Sequence, residues 1–284
     1  MNAIELSHVY KSFRAFAIQD LTLTVPSGAI CGLVGENGAG KSTAIRLLMG
    51  ALRPDSGTIR VLGIDAASPE FREAKEDIGI VLDAACFPEP LNAGQVGTLM
   101  ARTYRRWEPE VYRGYLDRFG LPGKTAFKDL SRGMKMKLAI AVALSHHPRL
   151  LVLDEATSGL DPIVRDEVLG IFNDFTRDEE HSILIASHIL SDLEKLCDYI
   201  AFLHQGRLLF CDEKDRLLEE YGLFVGTSED ADSLRPEAVV SREHSSYGGV
   251  RALVRRALAP SGYHLEKPTV EDVILFLVKG EQQK

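Results

Sequence analysis

Hydrophobic and polar positions change their spacing several times along the chain, and each change marks a predicted element. Leu21, Leu23 and Val25 alternate with Thr22 and Thr24, which predicts a half-buried strand. Elsewhere, short continuous apolar runs are bounded by turn residues, as expected for strands buried on both faces of a parallel sheet. These runs occupy residues 29–34, 78–82, 150–153, 183–186 and 200–203. The pattern therefore predicts an α/β fold.

Helical spacing fills the intervals between these runs. Residues 86–149 are nearly all helical by pattern, which could simply extend the α/β layer. We favour a separate helical lobe, because no strand signal interrupts this stretch. Helices are predicted at 41–49, 94–106, 109–119, 131–144, 215–221 and 270–278. We expect a main domain over 1–215, with the lobe inserted at about 86–149, and a small α+β accessory region over 216–284.

Composition narrows the class of protein. Hydrophobic residues make up 45% and charged residues 26% of the 284 residues, which excludes a disordered, collagen-like or disulfide-scaffold protein. The formal net charge of −8 argues against sequence-independent binding to duplex DNA, so no nucleic-acid partner is expected. The four cysteines form no C-x-x-C pair. The first residues lack the pattern of a signal peptide, and no apolar stretch reaches 18 residues. We therefore expect no signal peptide and expect that the chain itself does not cross a membrane.

A Gly-rich loop follows the apolar run at 29–34 and opens the next predicted helix. It fits the pattern G-x-x-x-x-G-K-[ST] in the strand–loop–helix context that this phosphate-binding pattern requires. Glycines let backbone N–H groups close around phosphate oxygens, and the helix N-terminus adds a positive dipole end. The predicted binding residues are Gly35, Glu36, Asn37, Gly38, Ala39, Gly40, Lys41, Ser42 and Thr43. Lys41 is expected to act in catalysis by reaching the β- and γ-phosphates, and Ser42 to offer its hydroxyl to Mg²⁺.

The apolar run at 150–153 ends in two carboxylates, Asp154 and Glu155. At the strand end, Asp154 would hold Mg²⁺ directly or through water. Glu155 is placed to polarise a water for attack on the γ-phosphate. Acidic residues also follow buried strands as solvated caps, so this pair indicates catalysis mainly because a phosphate loop lies upstream.

The predicted helix at 131–144 begins with the segment Leu130-Ser131-Arg132-Gly133-Met134. This segment resembles the signature sequence of ATP-binding cassette (ABC) ATPases, which is usually LSGGQ. Arg132 replaces a Gly, and Met134 replaces the Gln. In that family the signature contacts ATP held by the other subunit, so the resemblance implies that Ser131 and Gly133 contact a partner's γ-phosphate. An N-capped amphipathic helix is a compatible description of the same segment.

Further family elements follow in order. Tyr10 lies where the resemblance places an aromatic residue that stacks on adenine, although a lone Tyr beside a strand is usually a packing residue. The segment Ser158-Gly159-Leu160-Asp161 resembles the D-loop at the interface between cassettes. His188, after the apolar run at 183–186, resembles the switch histidine that contacts the γ-phosphate.

The strand at 78–82 departs from the family pattern at its end. The family usually has Gln there, whereas this chain has Asp83. Asp83 could bind Mg²⁺, stay turned away until the cassettes close, or pair with a basic residue such as Arg105 or Arg106; it could also merely cap the loop. We favour Mg²⁺, because the Gln does that in the family and a carboxylate is a harder ligand.

The resemblance covers about residues 1–215. It implies a P-loop NTPase core with an antiparallel β subdomain and a helical signature lobe. It also implies ATP and Mg²⁺ as cofactors, ATP hydrolysis, a second cassette, and a separate transmembrane permease chain at the cytoplasmic face of a bacterial membrane. The segments LSRGMKMKLA and DEATSGLDP are similar to those of ABC-2 type exporter ATPases.

Other members of the superfamily remain alternatives. Too few residues separate Ser42 from Ser131 for the coiled-coil insertion of long-coiled-coil DNA-repair members. Translation-factor members carry two cassettes in one chain, and this chain has one. An import ATPase stays open, since residues 222–284 are too short to decide between importer and exporter.

Overall fold

Strands and helices alternate along most of the chain, as the hydrophobic pattern predicts. The computed structural model describes residues 1–83, 87–244, 249–259 and 262–282. The strands are β1 (Asn2–Ser12), β2 (Ala17–Pro26), β3 (Ile30–Val34), β4 (Ser56–Val61), β5 (Ile64–Asp65), β6 (Ile78–Val81), β7 (Leu150–Asp154), β8 (Ser182–Ala186), β9 (Tyr199–His204), β10 (Arg207–Glu213), β11 (Tyr221–Thr227), β12 (Val239–His244) and β13 (Gly249–Arg255). The helices are α1 (Lys41–Leu48), α2 (Phe71–Ala74), α3 (Ala93–Met100), α4 (Pro109–Arg118), α5 (Arg132–Leu144), α6 (Pro162–Phe175), α7 (Leu190–Leu196), α8 (Lys214–Glu220), α9 (Ser228–Asp232) and α10 (Val270–Gln282). The chain divides into two compact units, Met1–Cys211 and Asp212–Lys284.

An antiparallel sheet with the strand order β2-β1-β4-β5 forms the N-terminal subdomain of the first unit. Strand β1 pairs antiparallel with both β2 and β4. In β2 the side chains of Leu21, Leu23 and Val25 are buried and those of Thr22 and Thr24 are exposed. The period-2 pattern of the sequence therefore corresponds to a strand whose sheet packs one face against the core.

The second sheet of this unit has the order β10-β9-β3-β8-β7-β6. Strands β9, β3, β8, β7 and β6 run parallel to one another. Every residue of β3, β7 and β8 is buried, which explains why these strands are continuous apolar runs. Because the strands are parallel, the loops at their carboxyl ends share one edge of the sheet.

The helical lobe is present, and residues 87–149 contain no strand. Helix α3 begins at a capping box in which Asn92 and Gln95 each accept a hydrogen bond from the other's backbone N–H. The prediction of a helix at 94–106 was wrong at the C-terminal end, since α3 stops at Met100. The chain turns there, and the backbone N–H of Arg105 donates to Glu76.

The second unit is a small α+β structure. Its sheet has the order β11-β13-β12, and a separate apolar cluster includes Phe224, Leu234, Val250 and Val254. The predicted helix at 215–221 is α8, which ends one residue earlier because Tyr221 begins β11. Among the described residues, no helix combines the length and the apolarity that a membrane span requires. The predicted fold class is confirmed: an α/β core with an antiparallel β subdomain, a helical lobe and an α+β appendage.

Candidate nucleotide site

Four loops that the sequence singles out meet at the carboxyl edge of the parallel sheet. They follow β3, β8, β7 and β6, which are successive neighbours in the sheet. Ligands of open α/β sheets bind at this edge. A cavity of about 570 Å³ opens there. It is lined by Ala15, Phe16, Glu36, Asn37, Gly38, Gly40, Lys41, Ser42, Thr43, Asp83, Asp154 and Glu155.

The phosphate loop between β3 and α1 depends on two glycines. Gly38 has φ 85° and Gly40 has φ 113°, a region that L side chains rarely adopt. A Cβ at Gly40 would lie 2.7 Å from side-chain atoms of Phe16 and Ile18, whereas Gly38 faces open space. The loop therefore needs glycine for both conformation and packing, and it brings the N-terminus of α1 to the cavity.

The ammonium of Lys41 lies in the middle of the loop. Lys41 is only 6% exposed, and its Nζ donates to the carbonyl oxygens of Gly35 at 2.6 Å and Glu36 at 3.3 Å. It is also 3.9 Å from Glu155 Oε1. A buried cation needs such acceptors, and charged phosphate oxygens are stronger acceptors than carbonyls.

Asp154 is a buried carboxylate with an unused acceptor. Asp154 is only 6% exposed, and its Oδ1 has no hydrogen-bond partner among the described residues. Burial raises the pKa of Asp154, the nearby carboxylates of Glu155 and Asp83 raise it further, and the Ser42 hydrogen bond opposes this. A buried acceptor without a partner calls for an explanation.

The pair of Asp154 and Ser42 fits Mg²⁺. The metal prefers oxygen ligands and is usually bound by one or two carboxylates together with substrate phosphates.

Glu155 and His188 form a hydrogen-bonded pair. His188 Nδ1 lies 2.7 Å from Glu155 Oε2, although the two residues lie in loops that follow different strands. The backbone N–H of Glu155 donates to Ala186 at the end of β8, which fixes the neighbouring loops together. Glu155 has φ 53°, and a left-handed residue other than Gly costs about 1–3 kcal/mol. Such strain clusters at active sites, and here it aims a carboxylate into the cavity.

The signature residues are exposed or half-exposed, and neither Ser131 nor Gly133 lines the cavity. The Ser131 hydroxyl caps α5 by accepting from the Met134 backbone N–H at 3.2 Å. Arg132, between them, points to the loop after β6, where its Nη2 donates to Asp83 Oδ1 at 2.7 Å.

Asp83 pairs with a basic residue, which was one of the alternatives, but the partner is neither Arg105 nor Arg106. Arg105 forms its ion pair with Glu73, and Arg106 forms its ion pair with Asp77. Asp83 instead lines the cavity while it pairs with Arg132. The partner was missed because it lies in the signature, 49 residues further along the chain.

Tyr10 is not brought to the cavity. It lies in β1 opposite Ser56, and its carbonyl accepts from the Asp55 N–H. Phe16, which the sequence did not single out, lines the cavity. Phe13 stacks on Phe16 with ring centroids 6.3 Å apart, in the turn that joins β1 to β2. The signal that could have identified these residues is the pair of phenylalanines three positions apart between two strands, ahead of the phosphate loop.

Comparisons with known proteins agree with this geometry. The family model described as "ABC transporter" matches residues 18–158. The ABC transporter ATP-binding protein YtrB of Bacillus subtilis (strain 168) is 32% identical over 77% of this chain and 74% of its own length. The Nod factor export ATP-binding protein I of Rhizobium sp. (strain N33) is 33% identical over 99% of both chains. A solved structure of an ATP-binding subunit of an ABC transporter is 27% identical, has a TM-score of 0.69, and covers 76% of this chain and 91% of its own.

Proposed function

The chain belongs to the ABC transporter family, as an ATP-binding and ATP-hydrolysing subunit, and we propose that it drives an exporter of the ABC-2 type. One observation carries the catalytic part of this proposal. The Lys41 ammonium and the carboxylates of Asp154 and Glu155 line a single cavity at the phosphate loop, and His188 forms a hydrogen bond with Glu155. The export part is supported by similarity along the whole chain to a protein named for Nod factor export.

The residues of the cavity take separate roles in this proposal. Backbone N–H groups of residues 35–43 and the Lys41 ammonium bind the phosphates. Ser42 and Asp154 hold Mg²⁺, which offsets phosphate charge when it is bound. Glu155 orients and deprotonates the attacking water, and His188 holds the Glu155 carboxylate in place from 2.7 Å.

The adenine is proposed to stack on the Phe13–Phe16 pair rather than on Tyr10. Phe16 lines the cavity and Phe13 continues the aromatic surface outward. Every base has a π face, so stacking on an aromatic side chain contributes roughly 1–3 kcal/mol to binding.

A second cassette is proposed to complete the site. Ser131 and Gly133 lie outside the cavity of their own chain, at the N-terminus of the 13-residue helix α5. The helix N-terminus favours an anion, and the ATP of a facing cassette would supply one. This cassette is either a second copy of the chain or a different protein. The permease is proposed to dock near residues 87–106, which places the chain at the cytoplasmic face of the membrane.

ATP turnover by the purified chain tests the catalytic proposal. Wild type is expected to release phosphate in the presence of Mg²⁺ and ATP. Lys41→Ala should lose ATP binding, because it removes the buried cation at the β- and γ-phosphates. ATP affinity of this variant within a few-fold of wild type would contradict the assignment.

Glu155→Gln tests the base and the dimer together. We expect binding to persist while turnover falls by about 10²–10⁴-fold, the usual contribution of a general base. The variant should accumulate as an ATP-bound dimer on size-exclusion chromatography, and Ser131→Ala in the same background should shift it to monomer. A variant that stays monomeric in ATP would contradict the two-cassette site.

Identification of the membrane partner tests export. The coding sequence for a multi-span membrane protein is expected beside that of this chain. Co-expression of the two should bring the chain to the membrane fraction, and inside-out vesicles should take up substrate only with ATP. Uptake into right-side-out vesicles or cells would indicate import instead.

A further inference from the structure

We infer that Arg132 is a positioning residue for the ATPase reaction, which holds Asp83 at the edge of the phosphate cavity and neutralises it there. The inference rests on the proposed nucleotide site, because it concerns a carboxylate that lines that cavity. It assigns a role within the chain's own site to a signature residue that otherwise faces a second cassette.

The contact between the two side chains is direct. Arg132 Nη2 donates to Asp83 Oδ1 at 2.7 Å. The same nitrogen is 3.4 Å from the Ser158 hydroxyl, in the loop that follows Glu155. A Cβ added to Gly159 would lie 3.2 Å from Arg132 Cδ, so the stem of the arginine passes close over that glycine. Arg132 therefore links the start of α5 to the loops after β6 and β7.

The contact between Arg132 and Asp83 also changes the charge at the edge of the cavity. The cavity is lined by the acidic residues Glu36, Asp83, Asp154 and Glu155 and by the ammonium of Lys41. The phosphates of ATP bring more negative charge into the same space, and like charges repel at short range. A guanidinium on Asp83 neutralises one of these four acidic residues while leaving its second oxygen available.

The two residues replace a neutral pair. Members of the family usually have Gln in place of Asp83 and Gly in place of Arg132. The two departures in this chain carry opposite charges, and the fold brings them into contact. Either change alone would add a charge beside the phosphates, whereas the two together add none.

The solvent exposure of Arg132 and Asp83 indicates that their ion pair acts on nucleotide binding rather than on the stability of the fold. The side chains of Arg132 and Asp83 are 60% and 53% exposed. Ion pairs this exposed contribute little to the stability of a fold, because water screens them. The consequence should therefore appear in nucleotide binding and not in unfolding.

A double-mutant cycle tests the inference on the full-length chain. The proteins are wild type, Asp83→Gln, Arg132→Gly and the variant with both changes, which has the usual family pair. Dissociation constants for ATP and ADP, KM and kcat are measured for each protein. We expect Arg132→Gly to weaken ATP binding about tenfold, within the range that coupled neighbours show. The double variant should return to within about threefold of wild type.

Three controls make the result specific. Arg132→Lys should recover most of the affinity, because it keeps the positive charge. ADP lacks the γ-phosphate, so its dissociation constant should change less than that of ATP across the cycle. Melting temperatures of the four proteins without nucleotide should agree closely, which a purely structural role would not produce.

The outcomes distinguish this inference from the proposed function. If wild type neither binds nor hydrolyses ATP, the proposed function fails and the inference fails with it. If wild type is active but the double variant shows the product of the two single effects, the side chains act independently and only the inference is overturned. Equal effects on ATP and ADP would also overturn it.

Discussion

Asp154→Asn should make the nucleotide-free protein more stable while it removes most of the response to MgATP. Asp154 is buried and Oδ1 lacks a partner among the described residues, so the folded chain contains a carboxylate that is poorly compensated. Its pKa is raised in the folded state, chiefly by burial. Because the folded-state pKa is raised, the ionised carboxylate lowers the free energy of unfolding at pH values above that pKa. This loss of stability disappears as the pH falls and the carboxylate becomes protonated.

The expected magnitudes follow from this geometry. An unsatisfied buried polar group costs about 1–3 kcal/mol. The amide of Asn removes the charge but still places a polar atom there, so we expect a gain of about 1 kcal/mol. For a unit of this size that corresponds to a rise in Tm of roughly 2–4 °C. A ligand at 100 times its Kd stabilises by about 2.7 kcal/mol, so saturating MgATP should raise the Tm of wild type by roughly 5–11 °C.

Thermal unfolding in EDTA and in MgATP, from pH 8 down to about pH 4, near the ordinary pKa of Asp, measures both effects. The variant should melt higher than wild type in EDTA at pH 8, and this advantage should shrink as the pH falls through the raised pKa of Asp154. Glu36→Gln is a matched control, since it removes a carboxylate that lines the same cavity but is exposed. A variant that melts lower than wild type in EDTA, or that keeps the full MgATP shift, would refute this account of Asp154.

The remaining predictions concern the other side chains of the site. His188→Ala should lower kcat by about tenfold or more with little change in ATP affinity, because Glu155 loses its positioning partner; unchanged kcat would exclude that role. Phe13→Ala should weaken ATP binding by about fivefold or more but leave tripolyphosphate binding unchanged, whereas the equally exposed Tyr10→Ala should affect neither. Asp83→Asn should raise the free Mg²⁺ needed for half-maximal ATPase activity, because it removes a carboxylate that lines the cavity; an unchanged Mg²⁺ titration would exclude Asp83 as a ligand and leave its pairing with Arg132.

The centre of the candidate site could be predicted from sequence because each part is local. A phosphate loop needs a strand, glycines at fixed positions and a helix start, and all three lie within a few residues of Lys41. Asp154 and His188 each follow a continuous apolar strand, and parallel strands bring their carboxyl ends to one edge. The contact between Glu155 and His188 is thus a consequence of topology that the apolar runs already imply.

The features that the sequence did not reveal depend on where the chain turns. The aromatic surface at the cavity is set by the turn between β1 and β2, in which the Phe13 N–H donates to the Phe16 carbonyl. Residue spacing alone does not reveal that Tyr10 stays in the strand. Similarly, the helical pattern at 94–106 continues past Met100, but hydrogen bonds from the following turn to Glu76 and its neighbours end the helix. Tertiary contacts override local propensity at both places.

The pairing of Asp83 with Arg132 shows why departures from a motif are better interpreted together than singly. Considered alone, Asp83 adds repulsion beside the phosphates, and Arg132 adds a bulky cation at a helix start where the family has glycine. The two lie 49 residues apart, so no local pattern connects them, yet their side chains meet at 2.7 Å. Since an ion pair is neutral as a unit, the exchange of a Gln and a Gly for an Asp and an Arg can keep the charge of the site constant. The guanidinium hydrogen bond, which the neutral residues would lack, also connects the signature helix to the loop after β6. If ATP moves one of these two elements, the hydrogen bond would therefore transmit the movement to the other.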